Sequence, residues 1–91
     1  MAIAIVFTPP SMSITQYNEI IRKLESAGAG KPKGRLHHFC YGSGDQLRVF
    51  DTWESPESFE AFGKTLRPIL SELRLDPGAP SVSEIHNTIE G

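Results

Sequence analysis

The chain opens on an alternation in which Ile3, Ile5 and Phe7 interleave with Ala2, Ala4 and Val6. A period of two sends the two sets to opposite faces of a strand, and here both sets are apolar. The pattern therefore predicts a strand over Ala2–Thr8 that is covered on both sides, ended by Pro9-Pro10. From Ser13 the period changes: Ile14, Tyr17, Ile21 and Leu24 recur at helical spacing, with Ile20 widening the stripe. Ser13 followed by Gln16 has the form of a capping box, Met12 stands where it can staple onto Tyr17, and Gly28 is the expected stop.

Arg35–Tyr41 and Gln46–Trp53 read as two strands around Gly42-Ser43-Gly44-Asp45, a hairpin turn. A loop of two or of four residues gives the same register, with Cys40 facing Leu47, His38 facing Val49 and Leu36 facing Asp51. Leu36, His38, Cys40, Leu47, Val49, Asp51 and Trp53 then share one face, and His37, Phe39, Tyr41, Arg48 and Phe50 the other. Ser55 is a good N-cap, Pro56 suits the first helical position, and Glu57 complements the helix dipole. Phe59, Phe62, Leu66, Ile69 and Leu73 form the buried stripe of this second helix, and Pro68 predicts a kink near Leu66 or a restart. Leu75–Pro80 is a turn, and Ser81–Ile89 alternates as a last strand.

Strand, helix, strand, strand, helix, strand is the split βαβ order, so the fold class is α+β, ferredoxin-like βαββαβ. Right-handed crossovers give an antiparallel sheet of order 4-1-3-2 with both helices on one face. The other face would lie bare, although strand 1 is apolar there and Phe39, Tyr41 and Phe50 accompany it. A second copy packed sheet to sheet would cover it.

Size strengthens that expectation. The 91 residues make one domain spanning 1–91, and a chain this short buries only about 60–65% of its unfolded surface. Cys40 is the single cysteine and can close no internal disulfide. A formal net charge of −2 with interspersed signs argues against a nucleic-acid partner. MAIAIVF is too short to span a bilayer and lacks a preceding charged region, so a cytoplasmic protein with no membrane partner is expected. GAGK at Gly28–Lys31 follows a helix and continues with Pro32, so it reads as a connector and not as a phosphate loop.

GRLHHFCYG, LRVFDTWESPESFEAF, LRPIL and the closing EIHN together resemble the dimeric α/β-barrel (ferredoxin-like) superfamily, nearest the antibiotic-biosynthesis monooxygenase type. The resemblance covers nearly the whole chain. It implies a homodimer that oxidises quinol-like aromatics with dioxygen and no cofactor, neither metal nor flavin. It also places a tryptophan at the end of the third strand in a cavity between sheet and helices, which is Trp53 here. Where some members carry an asparagine earlier on that strand, this chain has Val49, and where the second helix start carries a further aromatic it has Phe59.

The chemistry in the chain itself converges on the helix-side face. His38 and Asp51 lie diagonally across neighbouring strands, within reach of a carboxylate–imidazole hydrogen bond that would fix the tautomer of a general base. The plainer reading is a buried polar pair that satisfies itself. Tyr17, Leu24, Trp53, Phe59 and Phe62 are expected to line the cavity with them, around a small aromatic ligand. Either His86 or Asn87 should touch the cavity or the dimer seam, which makes His86 a further ligand-binding candidate. A three-histidine metal site fails on geometry: His37 and His38 diverge, and His38 and His86 fall on opposite edge strands about 14 Å apart. Two functions follow: cofactor-free chemistry on a small aromatic or enolisable molecule, with His38 as base and Trp53 as platform, or a non-catalytic dimer that binds a small ligand or fills its cavity with its own side chains.

Overall fold

A computed structural model describes residues 1–91. The elements are β1 (Ile3–Phe7), α1 (Ile14–Ser26), β2 (Arg35–Tyr41), β3 (Arg48–Trp53), α2 (Pro56–Glu72) and β4 (Ser81–Glu84). The strands form one sheet of order β2-β3-β1-β4 with every neighbouring pair antiparallel, the topology expected from crossover handedness. Ile3, Ile5 and Trp53 of the sheet close on Ile20 and Leu24 of α1 and on Phe62, Ile69 and Leu70 of α2, making one hydrophobic cluster.

The helix ends follow their local chemistry. Ser13 Oγ accepts the Gln16 N–H and the Gln16 side chain accepts the Ser13 N–H, completing the capping box. At the other end Gly28 takes φ +77°, while Ala29 N–H reaches Leu24 O and Gly28 N–H reaches Glu25 O. That is a Schellman closure, which needs a residue free to adopt positive φ. Ser55 caps α2 by accepting the Ser58 N–H, with Pro56 at the first helical position.

Four expectations are corrected. The α1 stripe runs through Tyr17, Ile20, Ile21 and Leu24 and leaves Ile14 exposed, because Met12 is itself buried in the core at the helix entrance. The β2–β3 register is two residues longer than the turn residues suggest: Tyr41 pairs with Arg48, Cys40 with Val49 and His38 with Asp51. The cause is Met12, whose N–H donates to Asp45 O and whose carbonyl accepts from Leu47 N–H. Gln46 and Leu47 are thereby drawn out of the hairpin, and Leu47 is buried. α2 continues unbroken past Pro68 with no restart. Pro68 and Lys64 are both exposed, so the Lys64 carbonyl that loses its helical donor lies at the solvent side of the helix. Finally, β4 stops at Glu84, because it pairs with β1 and that strand begins at Ile3; Ile85 N–H to Ala2 O is the last rung. His86 and Asn87 therefore lie beyond the strand.

No helix is long and apolar enough to cross a membrane. Ile5 is fully buried at the centre of the sheet, whereas Leu36 is exposed. Ile5→Ala should cost about 2–5 kcal/mol in urea unfolding, by lost burial and a residual cavity, while Leu36→Ala should change stability by less than about 0.5 kcal/mol.

Candidate active site

The register of the β2–β3 hairpin puts His38 directly opposite Asp51, and the next strand puts Ile5 beside Asp51. Asp51 is only 3% exposed, so its carboxylate has lost nearly all its water. Such a group persists when a donor replaces that hydration. The donor is His38: Nδ1 stands 2.5 Å from Asp51 Oδ1. A carboxylate only accepts, so Nδ1 carries the hydrogen and, in the neutral ring, Nε2 is left as an acceptor. Tyr17, one turn into α1, lays its hydroxyl 2.6 Å from that Nε2 and donates to it. The two rings lie within 9° of parallel, with centroids 6.0 Å apart. Sheet and helix together thus build a continuous chain from Tyr17 O–H through the imidazole to the buried Asp51.

This chain opens on a cavity between the sheet and the helices. Apolar side chains dominate its lining, among them Phe7, Met12, Ile20, Ile21, Leu24, Val49, Phe62 and Leu66. The polar lining comes from Tyr17, Arg35, His38, Asp51 and Asp76. Burial, foremost, raises the Tyr17 phenol above its ordinary range; Cys40 and Asp51 add to the rise, and the Arg35 guanidinium opposes it. Tyr17 is therefore a neutral O–H donor at physiological pH, suited to passing a proton and not to holding a negative charge. Burial also raises the Cys40 thiol, which makes it an unreactive side chain at neutral pH.

The sequence-predicted residues divide into three groups. Tyr17, Leu24, His38, Asp51 and Phe62 all line the cavity. Trp53 and Phe59 stand behind it: Trp53 is 0% exposed, edge-on to Phe59 at 5.7 Å and tilted against Phe62 at 5.2 Å. The Trp53 indole N–H has no hydrogen-bond acceptor, which costs about 1–3 kcal/mol. As positioned, Trp53 is part of the core and not a platform for a ligand. His86 lies on the opposite side of the sheet, where the segment after β4 and His37, Phe39, Phe50 and Thr52 border an open concavity. His37 is occupied there by a 2.7 Å hydrogen bond to Thr52 Oγ1. No group of three or more His, Cys, Asp or Glu side chains is placed to hold a metal ion.

Arg35 and Asp76 are the charged cavity residues that sequence reasoning missed. A bulge between Arg35 and His37 leaves Leu36 unpaired and sets Arg35 opposite Trp53, on the helix side. A bulge breaks the alternation on which face assignment rests, and no residue type in this stretch announces it.

Two outcomes follow. Nitrogen NMR of the protein should show the neutral His38 ring as the Nδ1–H tautomer, with Tyr17→Phe removing the hydrogen-bond shift at Nε2. A phenol whose pKa is raised on folding stabilises the fold fully below its unfolded value of about 10 and loses that contribution as the pH climbs through the folded value. Wild type should therefore lose stability above about pH 10 more steeply than Tyr17→Phe in pH-dependent urea unfolding.

No protein-family model matches the chain, and no curated protein matches it. Solved structures do. A Chloroflexus aurantiacus protein provisionally named an antibiotic biosynthesis monooxygenase superposes with a TM-score of 0.67 at 17% identity, covering 99% of this chain and 98% of the other. SnoaB, a cofactor-independent oxygenase from Streptomyces nogalater, superposes with a TM-score of 0.62 at 14% identity, covering 99% and 96%. A conserved protein from Methanosarcina mazei Go1 gives 0.64 at 16% identity, covering 92% of each chain. The chain has a ferredoxin-like fold and shares it with these structures over nearly its whole length.

Proposed function

We propose that this protein is a small homodimeric enzyme that removes a proton from a small aromatic or enolisable molecule and lets the resulting anion react with dioxygen, with no cofactor. The observation that carries this reading is the unbroken Tyr17–His38–Asp51 hydrogen-bond chain at the wall of an apolar cavity. A substrate proton passes to the Tyr17 oxygen as the phenolic proton moves to His38 Nε2. The buried Asp51 carboxylate stabilises the imidazolium that forms, as a carboxylate does behind any histidine base. The apolar walls keep water away, so the substrate anion remains electron-rich and available to oxygen. A substrate with a reactive methylene would take up one dioxygen, keep one oxygen atom as a carbonyl and release the other as water. The fold shared with SnoaB supports the oxygenase reading, since that protein is a cofactor-independent oxygenase.

Oxygen uptake with a panel of quinols and related enolisable aromatics tests this. His38→Ala should lower turnover by about 10²–10⁴-fold and also lower the unfolding midpoint, because Asp51 is left buried without its donor, and Asp51→Asn should lower turnover by a smaller factor. Full activity in His38→Ala would discard the role of the base.

One observation favours a second reading, a non-catalytic ligand-binding or structural module. The cavity measures about 70 Å³, less than the roughly 150 Å³ that accommodates benzene in an engineered apolar cavity. A substrate of aromatic size must therefore widen it. A protein that takes up no oxygen with any member of the panel would belong to this second class.

The dimer in this proposal forms through the outer sheet face and is placed in the cytoplasm. Phe39 is 54% exposed there, with Tyr41 also exposed on the same face and Phe50 packed against Phe39, so the face presents apolar surface that a second copy would bury. Native mass spectrometry should give twice the 10.0 kDa chain mass. Phe39→Glu should shift the population to monomer, and a wild-type monomer would overturn the assembly.

A further inference from the structure

Arg35 is a cation at the wall of an otherwise apolar cavity, and no carboxylate pairs with it. The ion pairs of the structure are Arg22–Glu19, Lys23–Glu72 and His38–Asp51. Asp51 is engaged by His38, and Asp76, the other carboxylate at the cavity, has its Oδ1 taken by the Gly78 N–H. The guanidinium itself donates a single bond, from one terminal nitrogen to Gly30 O at 3.2 Å. Five N–H donors in a planar fork leave most of that capacity unused. Its position is built, because the bulge at Leu36 turns Arg35 to the helix side opposite Trp53. Its charge also reaches the catalytic chain, since it is the one group that favours the ionised form of Tyr17.

We infer that Arg35 selects the substrate of this cavity: a small organic acid whose carboxylate is held by the guanidinium while its reactive end meets Tyr17 and His38. This rests on the reading of the cavity as the functional site and adds the substrate class to it. A carboxylate matches the fork with two parallel hydrogen bonds, and such a pair is stronger in an apolar enclosure than in water. A neutral molecule of the same shape would leave the guanidinium without that partner, which is how a polar group in an apolar pocket discriminates. Asp76 sets the opposite bias at the same cavity, so a dianion is disfavoured and a monoanion preferred.

The test titrates the full chain with two isosteric pairs, crotonate against crotonamide and benzoate against benzamide, following backbone amide shifts by proton–nitrogen correlation spectra. Wild type should bind each acid about tenfold tighter than its amide or better, the worth of a charge-assisted pair. Arg35→Gln should bring each ratio to near unity, and Arg35→Lys should keep part of it. Raised salt should weaken the acids and leave the amides unchanged. Should Arg35→Gln fail to fold, the wild-type ratio, its salt dependence and Arg35→Lys still decide. Equal affinities in wild type, a preference that survives in Arg35→Gln, or saturation by none of the four would overturn the inference. The readout needs no turnover: selective acid binding by a protein that oxidises nothing would end the oxygenase reading and leave the role of Arg35 standing. Oxygen uptake with neutral quinols, indifferent to Arg35→Gln, would do the reverse.

Discussion

Two backbone hydrogen bonds made by Met12, one to Asp45 O and one from Leu47 N–H, hold the structure in the arrangement that sets His38 opposite Asp51. They take the last two residues before β3 out of the hairpin and move the β2–β3 pairing by two positions. With the shorter pairing, His38 would face Val49 and Asp51 would stand opposite Leu36 at the edge. With the observed one, His38 and Asp51 are direct neighbours. The same bonds seat Met12 and Leu47 in the core and deliver the chain to Ser13, where α1 begins. Tyr17 then arrives over His38 because it lies one turn into that helix.

Asp51 shows what such a contact must achieve. Stripping a carboxylate of water costs several kcal/mol unless a well-placed partner compensates. Asp51 has only His38 as a side-chain partner, and His38 in turn holds Tyr17. Removing the imidazole would leave a buried charge with no donor, so the fold itself depends on the pair. That compensation lets a chain of 91 residues with a thin core keep a polar chain against an apolar cavity. Trp53 belongs to the opposite account: it fills space behind the cavity with Phe59 and Phe62, and its N–H finds no acceptor.

The two sheet faces carry different side chains. On the helix side, Ile3, Ile5 and Trp53 build the core and His38, Asp51 and Arg35 border the cavity. On the outer side, Phe39 and Phe50 pack at 6.2 Å and His37 lies parallel to Phe39 at 6.4 Å, an aromatic surface with little of the monomer over it. The alternation of the strands keeps the two surfaces apart: neighbouring residues such as His37 and His38 lie on opposite faces.

The sequence by itself determined the element order, both helix caps, the sheet topology and the faces of His38, Asp51 and Tyr17. These depend on period, on cap chemistry and on crossover handedness, all of which act over a few residues or follow from chirality. Only the tertiary structure decided the hairpin register, the bulge that turns Arg35 inward, the end of β4 at Glu84 and the place of Trp53 behind the cavity. The register hangs on Met12 and the end of β4 on the start of β1, partners distant in the chain, while Trp53 is seated by Phe59 and Phe62 of the helix that follows it. A two-residue slip preserves every face while changing every neighbour, so local pattern can name the residues of a site without saying which of them touch.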